Sequence, residues 1–212
     1  MARVEQPKDS RLESRLLQAA LGRLADVPAD KLSLRQVAHD LKVSHQAPYV
    51  HFGSKRQFLA AVAGLGLEQA AEQAASGVAS APDNPIDRLH ALADAYLAFI
   101  GGSPHLHDLA YGPAVAMRDH PLLQWAAIAY WNLLHDTVAA CQPKGIREEE
   151  VLRRSAIVWG SVYGLARLAA FEKIPSTVPG STHALVHQAL DGLYAGWQSN
   201  TEHAAGGGPE FR

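Results

Sequence analysis

Hydrophobic residues recur along the chain at the spacing of amphipathic helices. Ile86, Leu89, Ala93, Tyr96 and Ile100 follow one another at three- and four-residue intervals, which is the spacing of one buried helix face. The same spacing recurs within residues 12–24, 34–41, 151–166 and 185–197. No segment bounded by turns alternates apolar and polar residues as a half-buried strand would. The pattern therefore predicts an all-α fold.

Glycine and proline clusters divide this pattern into about nine helices. Three short helices predict an amino-terminal domain over residues 1–54. A larger helical domain is expected over residues 55–200, beginning with a long connecting helix. Residues 201–212 contain Gly206-Gly207-Gly208-Pro209 and lack periodicity, so we expect a disordered tail.

Composition narrows the class of protein. With 48% hydrophobic residues, the chain can bury a core and is not a disordered protein. A single cysteine, Cys141, excludes a disulfide framework within the chain and a cysteine-based zinc finger. Residues 1–30 lack the apolar core of a signal peptide, and no apolar window is long enough for a membrane span. These features predict a cytoplasmic protein.

The net charge of −2 is unevenly distributed. Residues 1–60 contain ten Lys or Arg and six Asp or Glu, whereas the remaining residues contain nine and fifteen. A basic amino-terminal segment on an acidic body suggests that only this segment meets a polyanion.

Residues 33–58 have the layout of a helix-turn-helix, whose second helix enters the major groove of DNA. Ser33 can cap the first helix and Ser44 the second, and the turn between the two helices is expected at Lys42 to Ser44. Pro48 disfavours helical angles at Ala47. The second helix is therefore expected to begin at about Pro48, with an irregular entry before it, which leaves the capping role of Ser44 open.

Lys55 and Arg56 fall in the expected first turn of the connecting helix. Cations at the positive end of a helix dipole are unfavourable unless an anion joins them. A DNA phosphate would be such an anion. The alternative is a pair of solvated surface cations.

The segment Tyr49-Val50-His51-Phe52-Gly53-Ser54-Lys55, followed by Phe58, resembles the signature of the tetracycline-repressor (TetR) family of transcriptional regulators. The resemblance covers residues 10–60, with Lys42 where the family has Gly and Pro48 where it has Leu. It implies DNA binding by Ser33, Arg35, Ser44, His45, Gln46, Tyr49, Val50, His51 and Lys55. Among these, Arg35, His45, Gln46 and Val50 would face bases, and Ser33, Tyr49, His51 and Lys55 would hold the backbone. For His51, a structural role within the domain is the alternative.

The larger domain is rich in aromatic residues with polar groups. Apolar pockets with a few polar groups hold small molecules, so we predict a site for a hydrophobic effector formed by Tyr111, Trp131, Trp159, Tyr163 and Arg167. Ordinary core packing, or a surface salt bridge for Arg167, is the alternative. The segment Val158–Gly164 resembles a family subtype with a Trp-x-x-x-His-Gly motif, with Tyr163 in place of His.

Small and apolar positions on the last two helices suggest a homodimer, as the family resemblance implies. Gly160 and Gly164 would let two helix backbones approach closely, and a stripe of apolar residues follows on the last helix: Leu185, Ala189, Leu193 and Trp197. Packing within one protomer is equally compatible with this pattern.

Other functions have weaker support. His105 with His107, and His183 with His187, have spacings compatible with metal ligands, but neither pair has an obvious third ligand, so no metal or cofactor is expected. Apart from Lys144, Cys141 lacks neighbours that would activate it as a redox switch.

An all-helical enzyme, using His107, Asp108 and Tyr111 as acid-base groups and Ser103 or Ser161 as nucleophile, is the main alternative. No catalytic motif supports it, and a DNA-binding architectural protein without an effector is a third possibility. The sequence thus predicts a ligand-responsive repressor that binds a palindromic operator as a dimer and is released by a small molecule.

Overall fold

The computed structural model describes residues 8–206, and side chains over residues 10–199. This part of the chain is helical and contains no strand. The helices are α1 (Lys8–Arg23), α2 (Leu34–Asp40), α3 (Ala47–Phe52), α4 (Lys55–Ser80), α5 (Pro85–Gly102), α6 (Pro104–Tyr111), α7 (Pro121–Ala140), α8 (Glu148–Ala170) and α9 (Thr182–Gly206), with a 3₁₀ turn at Met117–Asp119 between α6 and α7. The all-α prediction is confirmed.

The chain consists of two compact units. The first comprises the residues up to Ala71 together with Gly102–Tyr130, and the second comprises Glu72–Gly101 and the residues from Trp131 onward. Long helices α4 and α7 each contribute residues to both units.

The amino-terminal helices α1, α2 and α3 pack on one another within the first unit. Leu16 of α1, Leu24 directly after it and Val37 of α2 are fully buried there. Phe52, at the end of α3, meets the fully buried Phe58 of α4 edge to face, with ring centroids 5.1 Å apart. This aromatic pair joins the short α3 to the start of α4.

Two glycines of α4 let other helices of the first unit approach its backbone. A Cβ atom at Gly64 would lie 2.5 Å from the backbone nitrogen of Leu123 in α7, and one at Gly66 would lie 2.4 Å from the side chain of Leu106 in α6. Such distances are far below van der Waals contact. The packing therefore excludes a side chain at Gly64, which faces backbone atoms, whereas a side chain at Gly66 would require the Leu106 side chain to move.

The second unit is built on α5, α8, α9 and the carboxyl-terminal part of α7. Its interior contains Leu89, Val138, Val158 and Leu190. Two stacked imidazoles join α5 to α9: His90 and His187 lie with ring centroids 4.1 Å apart. Each ring also meets a carboxylate of the other helix, His90 with Asp191 at 2.9 Å and His187 with Asp94 at 2.7 Å.

The predicted dimer stripe on α9 lies largely within the protomer. Trp197 is buried, with the Arg154 guanidinium 5.5 Å from its ring centroid, and the other three members are partly buried. This arrangement matches the alternative that the sequence left open, packing within one chain.

The carboxyl-terminal helix α9 continues to Gly206, six residues past the boundary expected at residue 200. Residues 207–212, the rest of the expected tail, lie outside the described residues. Among the helices over residues 8–206, none is long and apolar enough to cross a membrane.

Candidate nucleic-acid interface

The helix-turn-helix segment has a capped first helix and a strained turn after it. Ser33 caps α2, because its Oγ accepts a hydrogen bond from the Gln36 backbone N–H at 3.3 Å. Lys42 has φ of 55°, a left-handed conformation that costs a non-glycine residue about 1–2 kcal/mol. Lys42, which stands where the family has glycine, is therefore strained.

Helix α3 begins later than a Ser44 cap would require. Gln46 is its N-cap residue and Pro48 lies in its first turn, where a missing N–H costs nothing. Ser44 Oγ instead accepts from the Gln46 backbone N–H at 3.3 Å, two residues away. The interpretation of Ser44 as the helix cap is wrong, because Pro48 delays the helix as the irregular-entry alternative predicted.

An ionic clamp holds α2 against α1. The Arg23 guanidinium donates to the Asp40 carboxylate from Nε at 2.8 Å and again from its terminal nitrogen. Gln36 Nε2 donates to the other carboxylate oxygen at 3.1 Å. The bonds from Arg23, followed by that from Gln36, hold the pKa of Asp40 below its ordinary value. The clamp fixes the helix that presents Arg35.

One side of this motif is exposed and the other is buried. Ala47, Pro48 and Phe52 are buried against the rest of the first unit. The opposite side, which we call the α2–α3 face, is exposed and consists of Ser33, Arg35, Ser44, His45, Gln46, Tyr49 and Val50. Seven of the nine predicted DNA-binding residues are therefore exposed on the same helix-turn-helix motif.

The remaining two predicted residues are partly buried. His51 Nδ1 lies 3.2 Å from Glu13 Oε1 of α1, and only 13% of its side chain is exposed. Lys55 is the first residue of α4, and its Nζ donates to the Asp30 carbonyl at 3.2 Å. The contact of His51 with Glu13 is compatible with the structural role that the sequence left open, and DNA binding by His51 and Lys55 stays a prediction.

Arg56 has a protein partner that the sequence did not indicate. Its Nε donates to Asp119 Oδ2 at 2.7 Å, and the same oxygen accepts from the Ala116 backbone N–H at 2.6 Å. The Ala116 N–H and then the Arg56 guanidinium keep the pKa of Asp119 below its ordinary value, against the effect of desolvation. Arg56 therefore ties α4 to the 3₁₀ turn before α7.

The five predicted effector residues are divided between the two units. Trp131 and Trp159 meet edge to face in the second unit, with ring centroids 6.1 Å apart. Arg167 lies over the ring of Phe171, 4.4 Å from its centroid. Tyr111 belongs to the first unit, where it stacks on the buried ring of His107 with centroids 4.8 Å apart.

In the part of the chain that the structure describes, the surroundings of the candidate metal ligands and of Cys141 do not favour metal or redox chemistry. Over the described residues, no three His, Cys, Asp or Glu side chains are placed to hold a metal ion. Cys141 is buried, and its Sγ donates to the Pro85 carbonyl at 3.4 Å. Burial raises the pKa of its thiol to about 12, so little reactive thiolate forms near neutral pH.

Models of known protein families match two parts of the chain. Residues 16–62 match the family model described as bacterial regulatory proteins, tetR family. Residues 89–193 match a second model, the tetracyclin repressor-like C-terminal domain. The two matches together cover most of the chain. It belongs to the TetR family. The chain is thus a DNA-binding transcriptional regulator, and regulators of this family are generally not enzymes.

Solved structures of other proteins share the fold. A protein of unknown function from Rhodococcus sp. RHA1 is 26% identical over 93% of this chain and 99% of its own, with a TM-score of 0.71. A TetR variant from Acinetobacter baumannii AYE in complex with minocycline is 20% identical over 92% of this chain and 98% of its own, with a TM-score of 0.61.

A third similar structure is the transcriptional regulator FadR from Bacillus subtilis in complex with stearoyl-CoA. It is 12% identical over 86% of this chain and 98% of its own, with a TM-score of 0.63. Among curated protein sequences, none is a significant match.

Proposed function

We propose that this TetR-family regulator is a repressor that binds a palindromic operator as a homodimer and is released by a hydrophobic small molecule. The observation that carries the proposal is the α2–α3 face. Its residues are exposed while the other side of α3 is buried, so the second helix of the motif is free to enter a major groove.

The side chains of the face fit the two kinds of DNA contact. Arg35 can pair with guanine and Gln46 with adenine through paired hydrogen bonds. Ser33, Ser44, His45 and Tyr49 carry hydrogen-bonding groups for phosphates or base edges. Lys55, at the amino terminus of α4, completes the backbone contacts.

A second copy of the chain is the proposed partner of α8 and α9. An exposed face follows α8 through Ile157, Gly160, Gly164 and Leu168, and continues on α9 through Ala184, Gln188, Gly192 and Ala195, each exposed or partly exposed. No atom outside the local helix lies within 4 Å of where a Cβ of Gly160, Gly164 or Gly192 would be. This α8–α9 face is uncharged and has small residues, which favours close helix packing around a two-fold axis.

The effector site is proposed on the predicted residues that belong to the second unit: Trp131, Trp159, Tyr163 and Arg167. The edge-to-face pair of Trp131 and Trp159 supports an aromatic site in the second unit. Structural neighbours that bind minocycline and stearoyl-CoA support a hydrophobic effector. The Trp159–Gly164 segment further suggests the Trp-x-x-x-His-Gly subtype, with Tyr163 in place of His.

Two substitutions test the DNA-binding roles in gel-shift titrations. The DNA is the duplex upstream of the chain's own gene, with an unrelated duplex for comparison. Lys55→Ala should weaken binding to both duplexes alike, because a phosphate contact carries no sequence information. Arg35→Ala should weaken the specific duplex more than the unrelated one, by a ratio of about 5–150 if a bidentate pair of hydrogen bonds contributes roughly 1–3 kcal/mol. Unchanged binding by both variants would contradict the proposal.

A further inference from the structure

The most exposed large apolar side chain of the amino-terminal motif is Val50, in the middle of α3. Its exposed fraction is 78%, whereas that of Phe52, two residues later, is 8%. A β-branched residue has no advantage in a short helix. Val50 is also too exposed to contribute burial to the fold. The Val50 side chain can therefore be buried only by a partner that binds the α2–α3 face.

The major groove offers one apolar group to such a side chain. Among the base edges exposed there, only thymine presents a methyl group, at C5, and the other groups are hydrogen-bond donors and acceptors. An apolar contact with this methyl is the established way for a side chain without polar atoms to recognise a base pair.

Gln46 lies one helical turn before Val50 and is exposed on the same side. It makes no capping hydrogen bond to α3 although it is the N-cap residue, so its amide is not used to start the helix. A glutamine amide can bind adenine N6 and N7 together. Side chains one turn apart on a helix are about 5–6 Å from each other, which corresponds to one or two steps of about 3.4 Å along DNA.

We infer that Val50 is a specificity-determining residue that contacts a thymine methyl, within about two base pairs of an adenine bound by Gln46. The inference rests on the proposed function, because it requires α3 to lie in a major groove. It adds a feature of the operator. Each half-site contains a thymine, recognised through its methyl group, and an adenine within about two base pairs of it, recognised through its major-groove edge.

Replacement of thymine by uracil tests this directly, because uracil pairs as thymine does and lacks only the C5-methyl. Duplexes are first selected from a random pool with the full chain, and each thymine of the half-site is then replaced in turn. Affinity is measured by fluorescence anisotropy. One replacement should weaken binding about fourfold per half-site, the effect of one methyl group returned to water.

Variants of the chain assign the effect to a residue. Val50→Ala removes both γ-methyl groups that would reach the base, so this variant should bind the thymine and uracil duplexes with nearly equal affinity. Val178→Ala, the same substitution at an exposed valine of the second unit, should preserve the fourfold ratio. For Gln46, replacement of the neighbouring adenine by 7-deazaadenine should weaken the parent and leave Gln46→Ala unaffected.

Three outcomes separate this inference from the proposed function. A half-site insensitive to every uracil replacement overturns the inference alone. A uracil effect of the same size in Val50→Ala also overturns it, since another residue then contacts the methyl. A chain that selects no duplex overturns the proposed function and the inference together.

Discussion

Lys42 shows the cost of a single backbone angle. The turn between α2 and α3 requires a left-handed residue, and a side chain there is strained. Lys42→Gly should raise the free energy of unfolding by up to about 1 kcal/mol, as measured by urea denaturation.

The matched control is Lys31→Gly, which removes the same exposed charge from a turn residue without a positive φ. This variant should be slightly less stable than the parent, because glycine loses more backbone entropy on folding. Equal effects of the two substitutions would show that charge, and not backbone strain, is responsible.

His120 makes stability depend on pH. Burial beside Phe52 lowers the pKa of its imidazole below 6.5, with Glu13 opposing this shift. The unfolded chain therefore takes up the proton first as the pH falls. The stabilisation is complete above pH 6.5 and is lost as the pH falls from there through the lower folded-state pKa.

His120→Gln should flatten the dependence of unfolding free energy on pH between about pH 7 and pH 5. The same measurement on Gln124→Ala, an exposed residue of α7 in the same unit that carries no titratable group, should leave the dependence as in the parent. An unchanged slope in His120→Gln would contradict the account of this site.

At the scale of elements, the glycines of α4 decide how closely another helix can pack against it. Gly64→Ala would place a methyl group against the backbone of α7, where neither helix can yield easily. We expect a loss of about 1–3 kcal/mol, as in other overpacked cores. Gly77→Ala, in the same helix with open space around it, should instead stabilise by about 0.5–1 kcal/mol through helix propensity. Thermal and urea unfolding of the two variants measure this difference, and similar losses in both would contradict the packing described.

The ion pair between Arg56 and Asp119 joins α4 to the 3₁₀ turn before α7. Its two side chains differ in their other contacts and in their exposure. Asp119 also accepts the Ala116 N–H, whereas Arg56 is half exposed. Asp119→Ala should therefore destabilise the chain more than Arg56→Ala, and the double variant should be less destabilised than the sum of both. Strict additivity in urea denaturation would show that the pair contributes no coupling.

The elements themselves could be predicted because their causes are local. The apolar spacing predicted the helices, and Pro48 predicted the late start of α3, since both act within a few residues. Contacts across long separations in the chain could not be predicted. Asp40 with Arg23, and Asp119 with Arg56, are surface-type pairs whose spacing has no sequence signal.

For the whole molecule, the sequence indicated that the last two helices form an interface, but its apolar stripe on α9 marks the side that packs within the protomer. Trp197 and Leu193 have the spacing of that stripe, and its largest side chain is used for the protomer's own packing. The sequence indicated Gly160 and Gly164 on α8. Small residues such as Gly192 and Ala195 have little hydrophobic signal, so the α9 half of the α8–α9 face becomes visible only in the structure.

This face makes the oligomeric state a testable property. Ile157→Glu places a charge on the α8–α9 face and should shift the chain toward monomer in sedimentation measurements, with weaker binding to a palindromic duplex. Leu152→Glu, an exposed residue on another side of α8, should remain dimeric. A dimer that is equally stable in both variants would contradict the proposed interface.

The central claim is that the α2–α3 face of a dimer binds duplex DNA, and the salt dependence of binding tests it most directly. Affinity for the selected duplex is measured by anisotropy at several salt concentrations. A dimer with about 6–10 phosphate contacts should bind roughly 10³–10⁵ times more weakly at about 200 mM salt than at about 50 mM. Lys55→Ala should reduce the salt slope by about one for each phosphate that the lysine neutralises. An affinity that does not change over this range would contradict the account.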